Sequence, residues 1–243
     1  MYESIISKQK LISLDESTHT YTLLNSNIKF SSVTEFISKF FAPFNEEQVA
    51  QKLTKLKKYK GKSVSDILQD WEERRHRGTV VHKEIENFIL ETNSLNYKAK
   101  LIDNLDLKSQ QGIEFLKKCN IHKSNLIFPE VKVFTEHLKL AGTIDLMIYN
   151  KTRNQISLVD WKTNVEIKKT GFKNGTKSPT SAIQDSSFNK YELQLSMYQH
   201  IIEKYYNATV SGLYIVHLKE SGFQYLDCQF QSNIIKEMLL FNE

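Results

Sequence analysis

The stretch Leu140–Asn164, LAGTIDLMIYNKTRNQISLVDWKTN, constrains this chain more than any other. Two runs rich in Ile, Leu and Val flank a polar segment, Asn150 to Gln155, with the turn-favouring residues Asn150 and Asn154. That pattern predicts an antiparallel hairpin. Folding it about the middle of the polar segment, between Thr152 and Arg153, sets Asp145 opposite Asp160. Side chains alternate faces along a strand, so Lys162 points the same way as Asp160. By the same rule Ile144, Leu146 and Ile148 take one side, while Thr143, Asp145 and Met147 take the other. Val159 and Trp161 fall on the apolar side of the return strand. Two acids directly opposite each other destabilise a sheet, so the pair calls for a compensating cation. Lys162 is one, and a hard divalent ion held by oxygen ligands is another. A solvated strand face with a surface salt bridge would account for Asp145 alone.

Gly142–Asp145 followed by Asp160–Lys162 resembles the PD-(D/E)XK nuclease superfamily, in particular its RecB-like exonuclease branch, where a G-x-x-D strand precedes a D/E-x-K strand. The mitochondrial genome maintenance exonucleases and related phage nucleases are similar. The resemblance implies that Asp145, Asp160 and the backbone carbonyl of Trp161 ligate a metal. It also implies that Lys162 positions or activates the attacking water and balances charge on the phosphate. Upstream, the run Arg77-Gly78-Thr79-Val80-Val81-His82-Lys83-Glu84-Ile85-Glu86 is similar to the branch's G-T-x-x-H-x-x-I-E helix, whose His is a metal ligand. Downstream, Gln194-Leu195-Ser196-Met197-Tyr198 is similar to its Q-L-x-x-Y helix. The ordered set, from Gly78 to Tyr198, spans about half the chain. Some members hold an iron–sulfur cluster on four cysteines. This chain has Cys119 and Cys228 only, so no such cluster is expected. The superfamily's leading Pro is also missing before Asp145, where Thr143-Ile144 stand.

The implied fold is α/β: a restriction-endonuclease-like mixed central sheet flanked by helices, with an N-terminal helical extension. At 243 residues the chain suits one such domain with appended helices. The expected division is 1–62 for an N-terminal hairpin and helical extension and 63–243 for the nuclease core. No apolar run reaches transmembrane length, and Met1-Tyr2-Glu3-Ser4 lacks a secretory pattern. Two distant cysteines suit an intracellular, reducing compartment. A net charge of +5 is compatible with a polyanionic partner without requiring one. Lys52, Lys55, Lys57, Lys58, Lys60 and Lys62 cluster, which fits either a solvated helix face or nucleic-acid contact.

Along the chain, residues 10–30 predict a small hairpin around His19-Thr20-Tyr21-Thr22-Leu23. A helix then opens at Ser31 or Ser32 and ends at Pro43, and a second runs from Asn45 to Lys58. The stretch 63–91 has helical periodicity that Gly78 interrupts and could split. Asp106–Cys119 reads as a further helix. Leu126–Phe134, Leu138–Tyr149 and Gln155–Lys162 read as strands. Residues 171–187 form a loop, and Asn189 caps a helix over 190–206 with Glu192 at the reciprocal position. A hairpin about Ser221-Gly222 and a helix from Ser232 close the chain.

His82 is a metal ligand or a helix-face histidine at the edge of the core. Glu86, one turn on, holds a ligand or second ion, or is a surface charge. Glu130 assists the metal through a water or pairs with a lysine. Gln194 contacts the scissile phosphate or orients Lys162, and Tyr198 contacts nucleic-acid backbone; a buried Tyr–amide pair is the alternative. Thr163, Lys168, Lys169 and Lys173 bind phosphates, the loop lysines ordering on binding. The expected activity is a magnesium- or manganese-dependent DNA exonuclease with little sequence specificity, acting on DNA with a free end in recombination, repair or genome processing. A structure-selective endonuclease on the same core and a non-catalytic DNA-binding subunit are the alternatives. Oligomeric state is left open.

Overall fold

The computed structural model describes residues 2–18, 20–92, 104–118 and 125–241, and the elements below belong to these. Helix α1 (Tyr2–Lys8) leads into a meander of β1 (Ile12–Asp15), β2 (Thr20–Leu23) and β3 (Lys29–Ser32). The expected hairpin thus gains a third strand; Asn27, at φ 55°, lies in the turn that brings it back. His19 lies outside the described residues. Ser32 caps α2 (Val33–Ser38), accepting from the Glu35 amide at 3.0 Å. This helix stops well short of Pro43, because Phe40 and Phe41 turn into the core. Asn45 caps α3 (Glu46–Leu53). It ends one residue past Lys52, short of the other clustered lysines, where no buried stripe holds a helix together and Leu56 is exposed.

Helix α4 (Val64–Thr92) starts on a reciprocal cap. The Ser63 hydroxyl accepts from the Asp66 amide (3.1 Å), and the Asp66 carboxylate accepts from the Ser63 amide (2.7 Å). Gly78 does not split it. Ile67, Val81, Ile85 and Ile89 keep one buried stripe across the glycine, which outweighs a helix cost of about 1 kcal/mol against Ala. Then come α5 (Leu107–Lys118), β4 (Asn125–Thr135), β5 (Leu140–Asn150), β6 (Gln155–Lys162), α6 (Ser187–Tyr205), β7 (Val210–Lys219), β8 (Gly222–Cys228) and α7 (Ser232–Phe241). Cys119 is outside the described residues. Ser186, not Asn189, caps α6, accepting from the Asn189 amide at 3.2 Å. Glu192 instead receives the Gln229 amide and the Gln231 side chain. The last hairpin turns about Glu220-Ser221, since Lys219 pairs with Gly222.

Eight strands among the described residues form one mixed sheet in the order β1-β2-β3-β5-β6-β7-β8, with β4 also on β5. Along one edge β5 pairs antiparallel with β4. Its other edge is shared: β3 runs parallel to it at Leu140 and Ala141, and β6 antiparallel from Leu146 to Asn150. Residues 142–145 form no ladder pair on that edge, so the sheet forks there. Past the fork β6 continues parallel to β7 as far as Lys162.

Helices cover both faces. Ile5, Phe36, Leu195, Ile201 and Met238, from α1, α2, α6 and α7, enclose one core with Met147 and Leu158. Val81, Ile85, Phe115 and Leu116, from α4 and α5, enclose the other with Leu146, Val159 and Trp161. Ile144 joins Met147 rather than Leu146; strict alternation breaks at the irregularity opposite Asp145. Through β3, Ile5, Val33 and Phe36, residues 1–62 share sheet and core with 63–243. Among the described residues no helix is long and apolar enough to cross a membrane.

Candidate metal centre

The hairpin delivers its acids to the fork. Asn150 opposite Gln155 and Leu146 opposite Val159 set the register that carries Asp145 towards Asp160. At the end of the ladder the Trp161 amide donates to Asp145 Oδ2 at 2.7 Å. The side chain thereby occupies the place of a strand partner. The Trp161 ring turns away and packs edge-on against Phe115, centroids 5.5 Å apart.

Asp160 is buried, 3% exposed. Lys162 Nζ lies 2.7 Å from its Oδ2, off hydrogen-bond alignment, so that this oxygen has no aligned donor. Gln194 Nε2 donates to Oδ1 at 3.3 Å and stands 3.4 Å from the Tyr198 hydroxyl. The Lys162 ammonium sits 4.3 Å above the centre of the Tyr191 ring, and the Tyr191 hydroxyl donates to Asn164 Oδ1 at 3.1 Å. A flat ring on one side and a carboxylate on another fix the ammonium in direction.

From the opposite face α4 brings His82, whose Nδ1 is 3.6 Å from Asp145 Oδ1. Gly78, one turn earlier, lets this helix press on the end of β6: Thr163 Oγ1 is 3.0 Å from where its Cβ would stand. Glu130 falls opposite Asp145 in the β4–β5 register, between the pairs Pro129–Leu146 and Val131–Ile144, yet forms no pair itself. It adopts φ 49°, a left-handed backbone that costs an ordinary L-residue about 1 kcal/mol or more. Each of His82, Glu130 and Asp145 offers a ligand atom, and these lie within 4.8 Å of one another.

The charges are mutually dependent. Burial pushes the Glu130 carboxyl up to about 8, with Asp145 adding to the effect. Burial likewise pushes Asp160 up to about 6; Lys162 opposes this and Asp145 reinforces it. Burial would raise Asp145 too, but the His82 ring beside it overrides burial and holds this carboxyl below its ordinary range. For His82, burial disfavours the charge and Asp145 overrides that, carrying the imidazolium up to about 9. Burial also disfavours the Lys162 charge, but Asp160 and Asp145 hold the ammonium above its ordinary value.

This donor set fits a divalent cation. Atoms bound to one ion at about 2.0–2.2 Å stand about 3–4.4 Å apart, comparable with the spread seen here. Imidazole is a softer ligand than magnesium prefers, which leaves room for manganese. Asp160, expected as a ligand beside Asp145, is not one of these three; its near contacts are Lys162 and Gln194.

Other expected site residues fall into different places. Glu86 is taken by Lys83 of its own helix at 2.7 Å, apart from the His82–Glu130–Asp145 group. Thr163 packs on Gly78, and its carbonyl receives Lys108 Nζ at 2.7 Å. Tyr198, expected to touch nucleic-acid backbone, is 3% exposed and presents no surface for it; it lies over Gly142 and buttresses Gln194. Lys168 and Lys173 are exposed, and Lys169 Nζ stands over the Phe188 ring. The loop that carries Lys173 does not wait for a ligand to be anchored. Buried Thr180 donates to the Phe40 carbonyl at 3.0 Å, the Thr176 amide to the same carbonyl at 2.8 Å, and Asn174 bridges Gln184. Tyr191 was not among the expected residues, although its spacing of three from Gln194 places both on one helix face. Tyr21, whose hydroxyl meets Thr143 Oγ1 at 2.9 Å, and His217, 2.6 Å from the Asn164 carbonyl, come from distant elements with no local signal.

Compared with known proteins, the chain matches no protein-family model and no curated protein.

Proposed function

We propose that this chain is a metal-dependent deoxyribonuclease, an exonuclease of the RecB-like branch of the PD-(D/E)XK superfamily, acting with little sequence specificity in DNA recombination, repair or genome processing. One observation carries the reading: His82 stands 3.6 Å from Asp145, and Asp145 accepts the amide of Trp161, the residue between Asp160 and Lys162, whose own side chains lie 2.7 Å apart. The mixed sheet, with its antiparallel β5–β6 hairpin and parallel β7, supports a restriction-endonuclease-like core. His82, Asp145, Asp160 and the Trp161 carbonyl would hold magnesium or manganese, which supplies Lewis acidity towards a phosphodiester and lowers the pKa of water.

The chain's own groups do the rest. Lys162, held by Asp160 and the Tyr191 ring, orients the attacking water and offsets the negative charge that grows on the phosphate. Gln194 keeps Asp160 turned to the fork. Lys168, Lys169 and Lys173, which follow the exit of β6, meet backbone phosphates of DNA with a free end.

End-labelled single-stranded, duplex and circular DNA, incubated with magnesium, manganese or chelator, tests the proposal. Linear substrates should shorten only with metal, leaving 5′-phosphates and 3′-hydroxyls, and circles should survive. Lys162→Ala should lower the rate by about a hundredfold or more. Cleavage in chelator, or parent-level cleavage by that variant, overturns the assignment. Nicked circles would make the enzyme an endonuclease, and DNA binding without cleavage would make the chain a non-catalytic subunit.

A further inference from the structure

We propose that Glu130 is itself a ligand of the ion, bound directly through its carboxylate alongside His82, Asp145 and Asp160; this rests on the reading that the fork holds a divalent cation. The motifs that point to a nuclease do not include it. Four features of its setting do.

First, Glu130 is aimed. The β4–β5 ladder is regular on both sides of it, at Pro129–Leu146 and Val131–Ile144, and fails only where Glu130 faces Asp145. Second, the backbone there takes a left-handed φ of 49°, a conformation suited to Gly or Asn rather than to Glu. Third, its carboxylate lies within 4.8 Å of ligand atoms of both His82 and Asp145, close enough for all three to share one ion. Fourth, among the described residues no ion pair or hydrogen bond reaches the Glu130 carboxylate; the His82 ring that faces it is 3.6 Å from Asp145. The nearby Lys83 is spent on Glu86. Two acids brought face to face and partly buried repel one another, and one imidazole beside them does not offset both. A shared divalent ion removes that cost, and a lysine partner, the ordinary alternative, is absent among the described residues.

Manganese binding to the DNA-free protein tests this without reference to cleavage. Electron paramagnetic resonance of unbound Mn2+ in a titration gives the affinity, and proton relaxation enhancement counts the waters left on the bound ion. Glu130→Gln should weaken Mn2+ binding by about tenfold or more and add about one water to the ion. Glu86→Gln should change neither. In chelator the Glu130→Gln protein should melt at or above the parent, since one of two facing acids is gone. Unchanged affinity, an unchanged water count, or a lower melting temperature in chelator together with lost affinity would overturn direct ligation. Glu130-dependent Mn2+ binding by a protein that cuts no DNA would sink the nuclease reading and keep this one. Cleavage with Mn2+ affinity indifferent to Glu130 would do the reverse.

Discussion

At Gly142 a hydrogen stands where any other side chain would meet Tyr198: the ring's Cε1 is 2.5 Å from the place a Cβ would take. The glycine therefore sets the depth at which Tyr198 lies, and Tyr198 sets Gln194, which holds Asp160. Gly142→Ala should destabilise the protein by about 1–3 kcal/mol through overpacking and slow cleavage as well. Tyr198→Phe keeps the ring and loses only the hydroxyl, so its cost should stay near 1 kcal/mol. Urea unfolding in chelator measures both; a Gly142→Ala protein as stable as the parent would contradict this chain of contacts. Lys162 shows a different economy of placement. Its ammonium serves Asp160 and the Tyr191 ring together, so a change at either partner moves the same atom.

Helix α4 is the element that couples the two halves of the fork. It carries His82 to Asp145 from one face of the sheet, while α6 carries Gln194 and Tyr191 to Asp160 and Lys162 from the other. The position of α4 against β6 is set at Gly78, over Thr163. An alanine there gains up to about 1 kcal/mol of helix propensity but crowds Thr163, whose backbone is pinned by Lys108. Gly78→Ala should accordingly be neutral or destabilising in the parent and stabilising in a Thr163→Ala background. The coupling between the two changes should be about 0.5–1 kcal/mol in a double-mutant cycle. Strict additivity would mean that this contact does not position the helix.

For the whole molecule the buried charges set a pH dependence. Glu130 and Asp160 are raised to about 8 and about 6 from ordinary values of 4.5 and 3.8. The folded protein binds those protons more tightly than the unfolded chain, so stability falls as pH climbs through each raised value. His82 is raised to about 9 from 6.5; its contribution is complete below 6.5 and is lost as pH passes about 9. Asp145 is held below 3.8, so its contribution disappears only in acid below that value. The three raised groups act in one direction. In chelator the melting temperature should fall by several degrees between about pH 6 and about pH 9. Saturating manganese should flatten or reverse the trend, because ligands bind metal in their deprotonated form. A flat or rising curve in chelator would contradict the electrostatics of the fork.

The hairpin register was legible in the sequence, because Asn150 and Gln155 bound a turn whose length fixes every pair before it. So were the helical stripe of α4, the start of α2 at Ser31 or Ser32 and of α3 at Asn45, and the shared face of Gln194 and Tyr198, all of which depend on spacing within one element. Gly78 and Asn189 misled because a glycine or an Asn is locally ambiguous: the first served packing on Thr163 and the second yielded its cap to Ser186. What local pattern could not hold was the fork itself. It exists because β3, from the first residues of the chain, pairs with the start of β5 while β6 pairs with its end. That division turns Asp145 to His82 and Glu130 and brings Gln194 to Asp160, while alternation along β6 had already put Asp160 and Lys162 on one face. Periodicity fixes which face of an element a side chain takes, whereas its partners across the gap are chosen only when the whole sheet closes.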